Sequence, residues 1–265
     1  MRLQSRLEIR VDYDATARDC RRVLRVLPLH RGGQEITREN WQIAPDAAFA
    51  LEKRDAYGNR RLLIQHRSIE NALTFGLEIE AQTSGAPVLE FQPDRARWRM
   101  PTSLVVFAPE VQNLAREARE LAPLARAAHF ARFCFQNLEY DAQIEASPLA
   151  SSQIWARKRG NCADFSHLLL ALCRASGLLA RYVAGLSRSQ GQMHAWAEVW
   201  DDNHWHAFDP TLDEIRAARP IQHIAVAVGR DFADCAPHSG QFRGAGAAHI
   251  ELWCQTREIG DAFSE

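Results

Sequence analysis

Arg159-Gly-Asn-Cys-Ala-Asp-Phe-Ser-His-Leu168 is a turn that runs into a helix. Gly160 permits a tight backbone turn, and Asn161 is a good N-cap, its side chain able to accept from the first free N–H groups of a helix. Phe165, Leu168, Leu169, Leu172 and Cys173 then recur at helical spacing, and Gly177 stands where a helix C-cap belongs. Cys162 therefore falls in the first turn, where unpaired N–H groups and the helix dipole favour a thiolate. Asp164, three residues after the cap, suits a capping role, but its charge opposes a thiolate. A cationic partner is needed.

The stretch His194-Ala-Trp-Ala-Glu-Val-Trp200 offers one. It is followed by Asp201-Asp-Asn203 and His204-Trp-His-Ala-Phe-Asp-Pro-Thr211, which together read as a β-hairpin. A two-residue loop at Asp201-Asp202 sets Asp209 opposite His194, and one at Asp202-Asn203 sets it on the diagonal. Both registers bring the carboxylate to the His194 face, whereas a three-residue loop without a bulge turns it away. His194 could then take the Cys162 thiol proton while Asp209 orients the ring. The Cys162 backbone N–H is a natural oxyanion donor, with Tyr140, upstream, the candidate for a second.

Other residues in these stretches have plainer readings. His167 is turned roughly 140° around the helix axis from Cys162, so a structural role is expected. His204 and His206 share a strand face without a third ligand and read as a packed or solvated pair rather than a metal site. Trp155 and Trp196 fit an acyl groove or core packing equally. Arg157-Lys158-Arg159 reads as a solvated loop.

Outward from this core the chain has two characters. Residues 1–100 alternate in short extended stretches, beginning with Leu3, Leu7, Ile9 and Val11. The turn Asp55-Ala-Tyr-Gly-Asn59, with Gly58 and Asn59 able to take positive φ, separates two of them. An antiparallel β-sandwich-like domain is predicted there. Residues 101–265 start with helical sequence, broken or restarted at Pro123, and continue into five strand-like runs, the last at His249–Gln255. Helices followed by an antiparallel sheet make an α+β domain, and the proline-bearing segment 87–109 marks the boundary.

Composition narrows the function classes. The chain has 265 residues, 46% of them hydrophobic, and 32 Lys plus Arg balance 33 Asp plus Glu for a net charge of -1. That balance argues against a general nucleic-acid binder. No stretch approaches the roughly 18 apolar residues of a membrane span, and the start lacks signal-peptide character, so a cytoplasmic protein is expected. The six cysteines contain no C-x-x-C pair, which argues against disulfides or structural zinc, and most read as small buried hydrophobes.

The segments Gly160-Asn-Cys-Ala-Asp-Phe-Ser-His-Leu168, Ala180-Arg-Tyr-Val-Ala-Gly185, the His194–Trp200 strand and Trp205-His-Ala-Phe-Asp-Pro-Thr211, in this order, resemble the bacterial transglutaminase-like family. Val226–Pro237 resembles the family's tail, and the strand-rich first half resembles the β-domain that often precedes the core. The resemblance implies a papain-like catalytic fold and carries the catalytic Cys, His and Asp onto Cys162, His194 and Asp209. It implies thioester chemistry on amide bonds of a protein or peptide substrate, resolved by an amine acceptor or by water. No calcium loop is recognisable, and no metal or cofactor is expected. Two rival readings are a catalytically silent interaction module and a coenzyme A-dependent acyltransferase of the arylamine N-acetyltransferase type.

Overall fold

β1 (Arg2–Tyr13) alternates buried and open residues along its length, as a strand with one face on a core must. The computed structural model describes residues 1–142, 148–188, 191–213 and 222–260. β2 (Ala17–Leu24), β3 (Gln34–Ala44), β4 (Phe49–Arg54), β5 (Arg60–Ile69) and β6 (Ala72–Thr83) complete the strands of the first half. β1 is flanked by β6, and β3 adds outside it; β2, β5 and β4 form a second sheet. Leu7, Ile9, Leu77 and Phe75 of one sheet and Leu24, Leu62 and Ile64 of the other belong to one hydrophobic core. The antiparallel sandwich expected from the alternation is present. β3 and β4 escape the alternation argument because they are edge strands with few buried residues.

β7 (Val88–Leu89) leads from this half into α1 (Pro109–Glu117) and α2 (Pro123–Asn137), each opened by a proline at its first turn. β8 (Glu139–Tyr140), α3 (Ser151–Arg157), β9 (Arg159–Gly160) and α4 (Cys162–Ala175) follow, then β10 (Ala180–Leu186), β11 (His194–Asp201), β12 (His204–Phe208) and β13 (Ile224–Gly229). The second-half sheet runs β13-β10-β11-β12-β7. α4 lies on β10 and β11 with α1, α2 and α3 around it, so nearly every residue from Ala163 to Arg174 is buried. Its end is a Schellman motif: Gly177, at φ +91°, donates to Arg174 O, and Leu178 N–H donates to Cys173 O. The fold is α+β, as the pattern of helices before strands predicts.

Two features depart from the local reading. Within Asp55–Asn59 only Gly58 has positive φ, at +81°. Asn59 is instead fully buried, its amide exchanging two 2.8 Å hydrogen bonds with the Val228 backbone of β13. The final strands, β14 (His238–Arg243) and β15 (Ala248–Glu258), leave the second half and pair with β2 and β1. The run His249–Gln255 is a strand as expected, but in the first half's sheet.

Candidate active site

The N-terminus of α4 is built as its sequence requires. The Asn161 side chain accepts from Ala163 N–H at 3.0 Å and Asp164 N–H at 3.2 Å. Asp164 returns the favour, accepting from Asn161 N–H at 3.0 Å and reaching across to Leu149 N–H at 2.7 Å. This is a capping box closed by a buried carboxylate. Gly160 is compulsory, because a Cβ there would stand 2.7 Å from Asp164 Cβ and Oδ2. Cys162 is thereby fixed as the first helical residue, partly exposed, with Sγ 3.9 Å from Met193 O at the foot of β11. The other five cysteines are free and buried.

β11 and β12 pair with Asp201 opposite His204, leaving Asp202-Asn203 as a two-residue turn with φ +45° and +66°. This is the diagonal register. His194 Nε2 and Asp209 Oδ2 meet at 2.7 Å, which leaves Nδ1 as the ring's other nitrogen. The second carboxylate oxygen accepts from Thr211 N–H at 2.9 Å and Thr211 Oγ1 at 2.7 Å. The Asp-Pro-Thr run contains a recognisable side-chain turn signal for this bracket.

Burial by itself depresses the His194 imidazole, but the charge and hydrogen bond of Asp209, with Cys162 as a further partner, outweigh it and raise the ring to about 10. Burial acts on Asp209 in the opposite sense and is likewise overcome, chiefly by His194, so the carboxyl is held far below its ordinary range. Tyr140 reaches the same place by a different route. β8 and β9 pair in parallel, Tyr140 beside Gly160, which sets the phenol against the Cys162 turn. Burial and then the neighbouring Cys162 and Asp209 push its ionisation upward, so the hydroxyl stays a donor.

The remaining candidates separate cleanly. His167 is fully buried, its Nδ1 3.0 Å from Leu149 O, and its Nε2 accepts from Phe232 N–H at 3.2 Å; it ties α4 to neighbouring loops. The rings of His204 and His206 stand 6.3 Å apart, and His204 Nδ1 meets Asp202 O. Trp155 stacks on Phe133 with Lys158 over its face, and Arg159 pairs with Asp141. Trp196 is buried beside His194, in space that only a glycine at 185 leaves open.

His223 was not singled out from sequence, since a lone histidine ahead of an apolar strand carries no local signal. It lies edge-on to His194 with ring centroids 5.2 Å apart, and its Nε2 is 3.6 Å from Asp209 Oδ2. His194, Asp209 and His223 are the grouping of metal-type donors found among the described residues, within 4.8 Å of one another. Among the same residues no helix is long and apolar enough to cross a membrane.

Comparisons with known proteins show the family to which the chain belongs. The sequence matches the core of the Transglutaminase-like superfamily over residues 112–210 and the Bacterial transglutaminase-like N-terminal region over residues 3–82. An uncharacterized Mycobacterium tuberculosis protein is 33% identical over 236 residues, covering 75% of this chain and 74% of the relative. A Mycobacterium leprae protein is 38% identical over 105 residues, a match spanning 36% of each chain, about a third of that relative's length. The solved structure of a candidate cysteine protease from Cytophaga hutchinsonii superposes with a TM-score of 0.77 at 20% identity, covering 99% of this chain and 92% of that one, which speaks for the shared fold. The chain belongs to the transglutaminase-like superfamily, its core preceded by the bacterial transglutaminase-like N-terminal region.

Proposed function

We propose that the chain is a cysteine-dependent enzyme that attacks amide bonds of protein or peptide substrates and passes the acyl group to an amine or to water. The observation that carries this reading is the 2.7 Å His194–Asp209 contact, which keeps a buried imidazole basic beside a cysteine at a helix N-terminus. Cys162 gives its proton to His194, and the thiolate sulfur attacks the carbonyl carbon. The oxyanion that forms is met by the Cys162 backbone N–H, which has no intrahelical acceptor, and by the Tyr140 hydroxyl. As the tetrahedral intermediate collapses, the carbon–nitrogen bond breaks and His194 returns its proton to the leaving amine, leaving a thioester on Cys162. An incoming amine or water, deprotonated by His194, then attacks the thioester and releases the thiol.

The test is site-resolved alkylation of the native protein by limiting iodoacetamide at mildly acidic pH, repeated with His194→Ala. The expected result is labelling of Cys162 far ahead of the five buried thiols, with the preference lost in the variant. Equal reactivity would give the site to a silent interaction module. A mass shift on incubation with acetyl-coenzyme A would give it to a coenzyme A-dependent acyltransferase. A glutamine donor offered with and without a primary amine then separates transfer from hydrolysis.

A further inference from the structure

Beside the triad, on the far side of Trp196, a narrow cleft opens between the two halves of the chain. Arg31, Gly33 and Gly85 of the first half face Trp196, Glu198 and His223 of the second across it. Two buried N–H groups on its walls have no partner, Arg31 Nη1 and Trp196 Nε1, and the ring nitrogen His223 Nε2 makes no hydrogen bond within reach. Trp196 is only 2% exposed, so its indole N–H has no recourse to bulk water. An unmet donor at such depth is costly to leave unpaired.

The carboxylate and amide side chains along the cleft are already engaged. Glu198 is fully buried and takes Arg31 through Nη2 and Arg181 through Nε and Nη2, so its charge is matched. The Gln34 amide is spent on Leu29 O, Ala225 O and Ala225 N–H. Thr83 donates to Gln222 O. At the inner end Asp209 lies 3.6 Å from His223 Nε2, beyond hydrogen-bond reach, and its oxygens serve His194 and Thr211. What the buried side chains of the cleft offer an occupant is therefore unmet donors. At its mouth Gly33, at φ +75°, has no side chain to obstruct it, and a Cβ there would press on Ala86 O at 3.0 Å.

We propose that this cleft is a binding site for a carboxylate group. Two oxygens in one plane match donors from two sides: the free arm of the Arg31 fork from the first half and the Trp196 indole from the second. Because Trp196 and His223 both pack on the His194 ring, with centroids 6.4 Å and 5.2 Å away, an occupant would sit one side chain behind the triad.

The test follows the Trp196 indole N–H resonance in 15N-labelled native protein, assigned with Trp196→Phe, during titration at constant ionic strength. Sodium acetate is the probe, with sodium chloride and acetamide as separate arms. Arg31→Lys keeps a cation against Glu198 but removes the planar second arm. The expected result is a saturable shift with acetate, none with the other two, and affinity about tenfold weaker in Arg31→Lys, equivalent to one hydrogen bond of roughly 1.4 kcal/mol. No shift with acetate, an equal shift with acetamide or chloride, or unchanged affinity in Arg31→Lys would overturn the assignment. The readout is the indole itself, so the result stands whether or not Cys162 forms an acyl-enzyme.

Discussion

His194 is subject to two large effects of opposite sign. Its burial penalises the imidazolium, and the Asp209 carboxylate at 2.7 Å rewards it by more, raising the ring from 6.5 to about 10. If Asp209→Asn removes the charge and keeps the shape, burial is opposed only by the Cys162 contact, and the ring falls back from about 10 toward its ordinary value. Alkylation of Cys162 followed against pH checks this. The alkaline limb that marks loss of the imidazolium proton should move down from about 10 in the variant. A limb that stays put would mean that Asp209 is not what holds the proton. The same shifts make a stability statement. A raised His194 contributes stability that is complete below 6.5 and disappears as pH climbs through about 10, while a depressed Asp209 contributes above 3.8 and is lost on acidification. The pair is therefore strongest between those two ordinary values. Denaturant unfolding should show Asp209→Asn costing more at about pH 5.5 than at about pH 10.

At the scale of elements, the site depends on one helix end and one turn, and both were legible in the sequence because their chemistry is local. Asn161 and Asp164 announce a capping box within four residues, and the Asp202-Asn203 turn follows from residue types that tolerate positive φ. The parity of a two-residue loop then brings Asp209 to the His194 face in either register, which is why the pair could be read before the register was known. His223 could not be read this way, since its place beside Asp209 is created by sheet packing and not by any neighbour in sequence. Two substitutions test the helix end. Asn161→Ala removes the acceptor for two N–H groups and should cost about 1 kcal/mol. Gly160→Ala forces a Cβ to 2.7 Å from Asp164 and should cost about 1–3 kcal/mol by overpacking. Both should also slow Cys162 alkylation, because the same turn aims the thiol; unfolding midpoints that drop with no change in alkylation would separate the cap from the site.

At the scale of the whole molecule, the first half grips the second at several buried polar points, and its sheets are completed by the end of the chain. Arg31 meets Glu198, Gln34 meets Ala225, and Asn59 locks both polar groups of Val228. Local patterning gave the strands of β1 and β15 but not their partnership, because pairing across some 250 residues leaves no mark in either segment's periodicity. The partnership has a consequence that can be measured. β15 runs beside β1 in unbroken register from Leu3–Glu258 to Tyr13–Ala248, so Cys254 and Thr256 help to close the sandwich core. Removing residues 247–265 would strip β1 of that partner and leave a long strand edge with its N–H and C=O groups open to another chain. Such an edge pairs with its own copies, so the truncated protein should associate or precipitate, and its first half should lose amide protection along β1. Cys162, His194 and Asp209 lie outside the deleted segment, yet the alkylation preference should weaken as well, because Arg31 and Asn59 reach the second-half sheet from loops that the sandwich holds in place. A truncated chain that stays monomeric and labels at Cys162 as the full chain does would show instead that the catalytic half stands without the completed sandwich.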